Sequence, residues 1–435
     1  MISKRHRIKR DRAPLGVTAV VLCGGYLWPL ACVPVTPPDG DDGGAIYNNT
    51  TDPTNESATY VGSDACGACH PGVGEQHEAH GHAHILTPIQ GQAPVFPGAA
   101  TRAGVPSPPP GLDWSDISYV VGGYTRKAQF IDKEGQVLTG SPESPLTQWN
   151  LEFSANGSTP GFVVYEAETS GNQPYDYSCF KCHTTGGQTQ NEDFPEFQEN
   201  RPGILGTWTE AGVQCEACHG PGSNHLPNPS ARDIFVGVAA SNCGQCHTRG
   251  ENPSVILSKN GFIQSYQQWP ELLASGGHAD FDCTMCHVAH VSANHDRENA
   301  IRNECTACHA DQTMAIHEGL TFVRGDYSED LTCVSCHMPF VTVSATSASN
   351  EVVGEVGRMG DTRTHIFRIN TAPVDFHAFF SGDGASVVED EEGRAAVTLD
   401  FVCFRCHNDI GNAGTIDSLD LASGVASNMH DIIRP

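Results

Sequence analysis

Sixteen of the 18 cysteines fall in eight pairs, each pair with two residues between its members and a histidine directly after the second. The motifs are Cys66-Cys69-His70, Cys179-Cys182-His183, Cys215-Cys218-His219, Cys243-Cys246-His247, Cys283-Cys286-His287, Cys305-Cys308-His309, Cys333-Cys336-His337 and Cys403-Cys406-His407. The two cysteines left over, Cys23 and Cys32, lie near the N-terminus. Cys-x-x-Cys-His is the attachment pattern of c-type haem. Two thiols a short turn apart reach the two vinyl groups of one porphyrin, and the next side chain lies under the iron as an axial imidazole. Zinc knuckles would need paired Cys-x-x-Cys units sharing a metal, without a histidine after every second cysteine. A disulfide inside Cys-x-x-Cys closes a tiny loop and stabilises little. With only 21 histidines in 435 residues, eight such successes by accident are negligible, so the pattern implies eight covalently bound haem c groups.

The second axial ligands can be counted. Outside the motifs and beyond His6 stand twelve histidines: His77, His80, His82, His84, His225, His278, His290, His295, His317, His365, His377 and His430. Twelve exceeds eight, so every iron could be bis-histidine, and the chain has just 6 methionines. Ligation without the potential-raising methionine implies low-potential electron carriers. His290 follows His287 by three residues and His225 follows His219 by six. Neither has enough chain to wrap its own porphyrin, so each, as a ligand, serves a different haem and clamps two macrocycles together, the condition for electron hopping. If Pro71 starts a helix, His77, His80 and His84 share one of its faces.

These residues need a scaffold, and the spacing says which kind. Six motifs lie between Cys179 and His337, about 26 residues each, too few for an apolar core around every cofactor. The porphyrins must be the core, and folding should depend on their attachment. The expected fold class is mainly irregular, with short α-helices and small β-segments wrapped around a chain of closely packed haems. Alternating β-branched and aromatic residues at Ser118–Gly140 and Gly161–Glu168 predict a small antiparallel sheet, and a second such region runs from Phe340 to Phe401. The expected layout is a lobe over 61–178 with the first haem and the β-region, a dense six-haem core over 179–340, and a lobe over 341–435 with the eighth haem.

The N-terminus reads as an export signal over residues 1–31. Lys4, Arg5, Arg7, Lys9, Arg10 and Arg12 precede an apolar run from Leu15 to Leu30, too short to span a bilayer comfortably. Leu30-Ala31-Cys32 resembles a lipoprotein box, which would leave a lipid anchor on Cys32; ordinary cleavage nearby is the alternative. Residues 32–60, rich in Pro, Asp, Asn and Thr, read as a flexible spacer. The expected location is periplasmic or at the cell surface, with no membrane span. A net charge of −27 repels polyanions and excludes a nucleic-acid partner.

Several stretches resemble the multihaem cytochrome c superfamily: Tyr60-Val61-Gly62-Ser63 before the first motif, Gly81-His82-Ala83 after it, CEACHGPGSNH from Cys215, CTMCHVAH from Cys283 and CVSCHMP from Cys333. That group includes tetrahaem nitrification cytochromes, hydroxylamine oxidoreductase, nitrite reductases and octahaem tetrathionate reductase. The resemblance implies distal imidazoles at His82, His225, His278, His290, His317 and His365, with His377, His295 and His430 as lesser candidates. His365 lies in DTRTHIFRIN, a strand-like alternation. The nitrite reductases of the group replace one proximal histidine by lysine, and no motif here does so. Tetrathionate reductase uses a distal lysine, for which Lys127 is the first candidate. The ligand surplus favours an exported electron carrier with no catalytic residue, passing electrons to redox proteins or extracellular acceptors, with self-association into a filament as a further expectation. The alternative is a reductase or oxidase of small nitrogen or sulfur oxyanions with one open haem.

Overall fold

The computed structural model describes residues 58–431, without 98–103, 141–145, 166–170, 230–233, 236–238, 251, 346–351 and 354–355. The expected signal, the Cys32 anchor and the spacer up to residue 57 lie outside the described residues. Every described residue belongs to one unit that begins at Pro37. No helix among them is long and apolar enough to cross a membrane.

The motifs fold first as local turns. In five of them the histidine lies outside a helix and its N–H donates to the carbonyl of the first cysteine, as in His70 to Cys66, His247 to Cys243 and His407 to Cys403, each at 2.9 Å. In two more the motif is itself a helix, Cys215–His219 and Cys333–His337. One such turn sets both thiols and the imidazole on neighbouring sides of a single helical coil. The helices are accordingly short, for example Ser63–Cys69, Cys215–His219 and Cys333–His337. His183 departs from this pattern, its N–H donating to the Phe180 carbonyl at 3.0 Å.

A seven-stranded antiparallel sheet forms between residues 86 and 174, in the order β1 (Leu86–Pro88), β2 (Ile117–Gly122), β3 (Lys127–Asp132), β4 (Gln136–Val137) and β7 (Gln173–Pro174). β5 (Leu146–Asn150) pairs with β3, and β6 (Gly161–Val164) pairs with β5. β2 and β3 meet in a tight hairpin, with Gly122 and Gly123 at φ 73° and 84°; a Cβ on Gly122 would stand 2.5 Å from the Lys127 carbonyl oxygen. Both faces of the sheet are covered. Ile117, Val120, Ala128 and Phe130 pack on one side, and Tyr119, Val121 and Ile131 on the other meet Tyr175, Phe180, Ile204 and Trp208. Phe180 lies inside the second motif, so the sheet is the platform beneath His183.

The second predicted β-region is different. Between Phe340 and Phe401 the strands are two-residue fragments, and the core there is built from loops around Phe262, Ile263, Ile366, Phe379, Phe380 and Phe401. The alternation around His365 is not a strand: the His365 N–H is held at 2.6 Å by the buried Glu271 carboxylate, not by a neighbouring chain. The expected helix begins at Pro71 but ends at Glu78, so His80, His82 and His84 lie in a series of three-residue turns, not on one helical face.

Between these two cores the protein interior has almost no apolar side chains. From Trp208 to Ile256 the only described apolar side chain withdrawn from solvent is Pro221, and from Ala274 to Pro339 there are only Ala300 and Phe322. What binds the N-terminal segment to this region is polar. Glu216, fully buried within the third motif, accepts from the backbone N–H groups of Val61 at 3.0 Å, Gly62 at 2.8 Å and Gly222 at 2.7 Å. Gly62 presents its amide from φ 85°, a left-handed conformation that favours glycine.

Candidate haem centres

Seven motif histidines face a second imidazole. Ring centroids are 6.5 Å apart for His70 and His225, 6.1 Å for His247 and His82, and 6.0 Å for His219 and His290. They are 6.2 Å apart for His287 and His365, and 5.9 Å for each of His309 with His278, His407 with His317, and His337 with His430. The interplanar angles of the same pairs run from 16° to 76°. A constant separation with free rotation is what one atom on a shared axis imposes. Two imidazoles whose nitrogens each lie about 2 Å from one metal have centroids roughly 6 Å apart. The six histidines named from sequence all occupy such positions, and His430, a lesser candidate, is the seventh.

The remaining histidines are spent elsewhere. His80 stacks on His82 at 4.3 Å, His84 and His295 lie against Tyr124, and His377 lies on Phe376 beside Asp375. Among the described residues none of these, nor His77, faces a motif histidine.

The imidazoles are oriented through the nitrogen that points away from the gap. Nδ1 of His219, His337, His407 and His430 lies 2.6–2.8 Å from the carbonyls of Phe235, Phe367, Gly414 and Thr313, and Nδ1 of His247 lies 2.8 Å from Gln268 Oε1. That leaves Nε2 of each ring for a metal. Burial also holds the rings neutral, at about 4 for His183, about 3 for His365 and well below the ordinary value for His82. Yet each of these residues retains accessible surface. A desolvated ring with accessible surface, in a region lacking apolar side chains, borders an internal space. The donor set of thiol pairs, paired imidazoles and unfilled interior fits c-type haem.

The thiols give the order of the centres. Cys66 and Cys215, Cys182 and Cys246, and Cys243 and Cys283 are close enough to perturb one another, joining the first motif to the third, the second to the fourth and the fourth to the fifth. Cys218 and Cys243, Cys286 and Cys305, Cys305 and Cys333, and Cys336 and Cys403 are close enough to act on one another electrostatically. The centres therefore form a contiguous row, with the second motif as a branch from the fourth.

That branch is the exception to the ligand pattern. His183 faces no second imidazole among the described residues, so the expectation of a histidine pair at every iron does not extend to it. Its Nδ1 lies 2.9 Å from the phenol of Tyr175, a fully buried ring packed under the sheet. Two aromatic rings stand near that of His183, Tyr175 at 6.3 Å and Tyr266 at 6.4 Å. Tyr266 holds φ 66°, a strained conformation for a bulky residue. Gln267 fixes it there, accepting from Leu257 N–H at 2.6 Å and donating to the Leu257 and Gln264 carbonyls at 2.7 Å. Burial raises the Tyr266 phenol, Arg249 opposes that rise and Asp361 adds to it, yet 42% of the side chain's residue surface stays accessible. Lys127 is not a distal ligand: its ammonium, in a side chain 7% exposed, lies 3.5 Å from Asp361 and donates to the Ser344 carbonyl. Nothing in the local sequence around Tyr266 or Tyr175 signals either role.

The family model for cytochrome c554 and c-prime matches residues 163–220, which span the second and third motifs. The dissimilatory sulfite reductase MccA of Wolinella succinogenes is 23% identical over 444 aligned positions, covering 80% of this chain and 61% of that protein. The chain thus spans about three-fifths of the length of that relative. Among solved structures, the octaheme sulfite reductase MccA of Wolinella succinogenes in form II aligns with a TM-score of 0.55 at 18% identity, covering 87% of this chain and 72% of the other. The outer cell wall cytochrome OcwA aligns with a TM-score of 0.47 at 19% identity, covering 85% and 86%.

Proposed function

For a chain that is a multihaem c-type cytochrome, we propose an oxidoreductase in which seven bis-histidine haems form an electron path to an eighth, held by Cys179, Cys182 and His183, whose outer face is open. The observation that carries this reading is the absence of a second imidazole opposite His183, among the described residues, where every other motif histidine has one. Bound haem would supply reversible one-electron storage at the paired sites and a substrate position where a ligand is missing. A pure carrier, the reading favoured by the ligand count, has no use for an eighth centre that differs in this way.

The chain's own residues define what that site does. Cys179 and Cys182 would anchor the macrocycle, and Tyr175 would orient His183 through Nδ1 so that Nε2 faces the iron. Tyr266 keeps its phenolic proton, because burial raises its pKa, and is therefore a hydrogen-bond donor toward a bound oxygen. Arg249 supplies positive charge beside it, against a molecule of net charge −27. A donor and a cation suit a small oxyanion. The name of the relative, a dissimilatory sulfite reductase, supports the sulfur oxyanions over those of nitrogen, and the reaction proposed is reduction of sulfite or a similar ion.

Electron paramagnetic resonance of the ferric protein tests the reading. The expected result is one high-spin haem beside seven low-spin ones, with cyanide and sulfite changing only the high-spin signal. A wholly low-spin protein indifferent to both ligands would return the chain to the carrier class.

A further inference from the structure

Between the seventh and eighth motifs lies a buried charge cluster. Arg405 stands between Cys403 and Cys406, 1% exposed, and its guanidinium grips Glu329 with Nη1 to Oε2 at 2.8 Å and Nη2 to Oε1 at 3.2 Å. The same Nη2 donates at 2.8 Å to the carbonyl of Ser335, which stands between Cys333 and Cys336. Arg363 adds a second cation, 2.9 Å from Glu329 Oε1, and donates to the carbonyls of Val334 and Met338 at 3.0 and 2.9 Å. Arg324 adds a third, donating to the Arg405 carbonyl at 3.1 Å and to that of Ala155. Among the described residues one carboxylate, Glu329, answers three guanidinium groups, and Asp400, which acts on Cys403, brings the count to two. Arg405 acts electrostatically on Cys336, Cys403 and Cys406, Arg363 on Cys336, and Arg324 on Cys406.

The other motifs face acids that single cations partly answer, Lys181 acting on Cys182 and Cys246, and Arg297, paired with Glu304 at 3.0 Å, acting on His287. Glu210 and Glu216 act on Cys66, Asp176 on Cys179, Asp282 on Cys243 and Cys283, and Glu304 on Cys286 and Cys305. A fixed positive charge in a low-dielectric interior stabilises a metal centre that has gained an electron, and a negative charge opposes that gain. Among the described residues, the last two motifs are thus the ones that share a buried cluster in which guanidinium groups outnumber carboxylates.

We propose that the haems held by Cys333, Cys336 and His337 and by Cys403, Cys406 and His407 are the highest-potential pair of the row, an electron-storing end set by the Arg324, Arg363, Arg405 and Glu329 cluster. This rests on the reading that thioether-linked haem fills both motifs, but not on which substrate the open centre takes. Arg405 belongs to both motif environments, so the two centres shift together when the cluster's charge changes.

The test uses the intact holoprotein and two near-isosteric variants of opposite sign, Arg363→Gln and Glu329→Gln, in spectroelectrochemical titrations read by electron paramagnetic resonance. Peptide mass spectrometry first checks haem on both motifs in each protein; its absence from the parent would overturn the underlying haem reading, independently of the potentials. With haem present, the two highest-potential components move down in Arg363→Gln and up in Glu329→Gln, each by a several-fold change in the reduced-to-oxidised ratio at fixed potential, while the other components stay in place. Shifts of the same sign, no shift, or movement of lower-potential components instead would sink the proposal. Arg363 is partly exposed at the edge of the cluster, and Arg363→Gln alone carries the test if Glu329→Gln fails to fold.

Discussion

The ring of His290 stands 6.0 Å from that of His219, although its own chain tethers it three residues from His287. His225, six residues from His219, in turn faces His70 at 6.5 Å. The fifth motif thus lends an imidazole toward the third, and the third lends one toward the first. Chain length forces the exchange, because neither histidine can double back around the macrocycle it follows.

If these pairs ligate iron, His225→Ala and His430→Ala each add one high-spin haem to the ferric spectrum and raise one potential. His377→Ala, which removes an exposed ring paired only with Asp375 and Phe376, leaves the count unchanged. Electron paramagnetic resonance of the three variants is the check.

Tyr266→Gly separates stability from turnover. Glycine adopts φ 66° freely, so the variant relieves strain worth about 1 kcal/mol, and little packing is lost because the ring borders open space. Denaturant unfolding should show equal or greater stability, and if the open centre reduces sulfite as proposed, that activity with a reduced viologen falls about a hundredfold, the usual effect of removing one oxyanion donor.

Glu216→Ala leaves three amides, the buried one of Gly222 and the half-buried ones of Val61 and Gly62, without their acceptor. The expected loss is about 2–4 kcal/mol, seen as a lower urea midpoint. Limited proteolysis should show the segment near residue 60 released first.

Asp400 gives the protein a pH dependence with a definite sign. Burial and the neighbouring Asp375 raise its carboxyl from 3.8 to about 6. The folded state holds the proton more tightly than the unfolded chain does, so the contribution is fully present below pH 3.8 and is lost as pH rises through 6. The ionised form, with Oδ2 lacking a hydrogen-bond partner, is therefore the destabilised one. Asp400→Asn should therefore raise Tm at pH 7.5 and leave it unchanged near pH 3.5, by calorimetry at both values.

Motif spacing made the cofactor sites legible because two thiols and an imidazole within five residues are a local feature, closed by one backbone turn. That His225 and His290 serve haems other than their own was also legible, since tether length excludes self-ligation, but that they face His70 and His219 was not. His430 was less so, lying 93 residues beyond His337 with no motif around it. The odd centre at His183 was not legible at all. Twelve spare histidines conceal the absence of a partner at one site, because His80, His84, His295 and His377 are held by neighbouring aromatic rings. The short extent of the helix at Pro71 and the irregular backbone at His365 have a common cause. Both segments bend to deliver an imidazole, and Glu271 supplies the acceptor that a neighbouring strand would otherwise provide.

The lending of imidazoles between motifs has a consequence for how such a chain can change over generations. Erasing the third motif would take away its own centre, unseat the residue facing His70 and leave His290 facing nothing. A lesion at one address is inherited by its neighbours, so these centres are gained or discarded in interlocked blocks, while loops outside the exchange are free to drift.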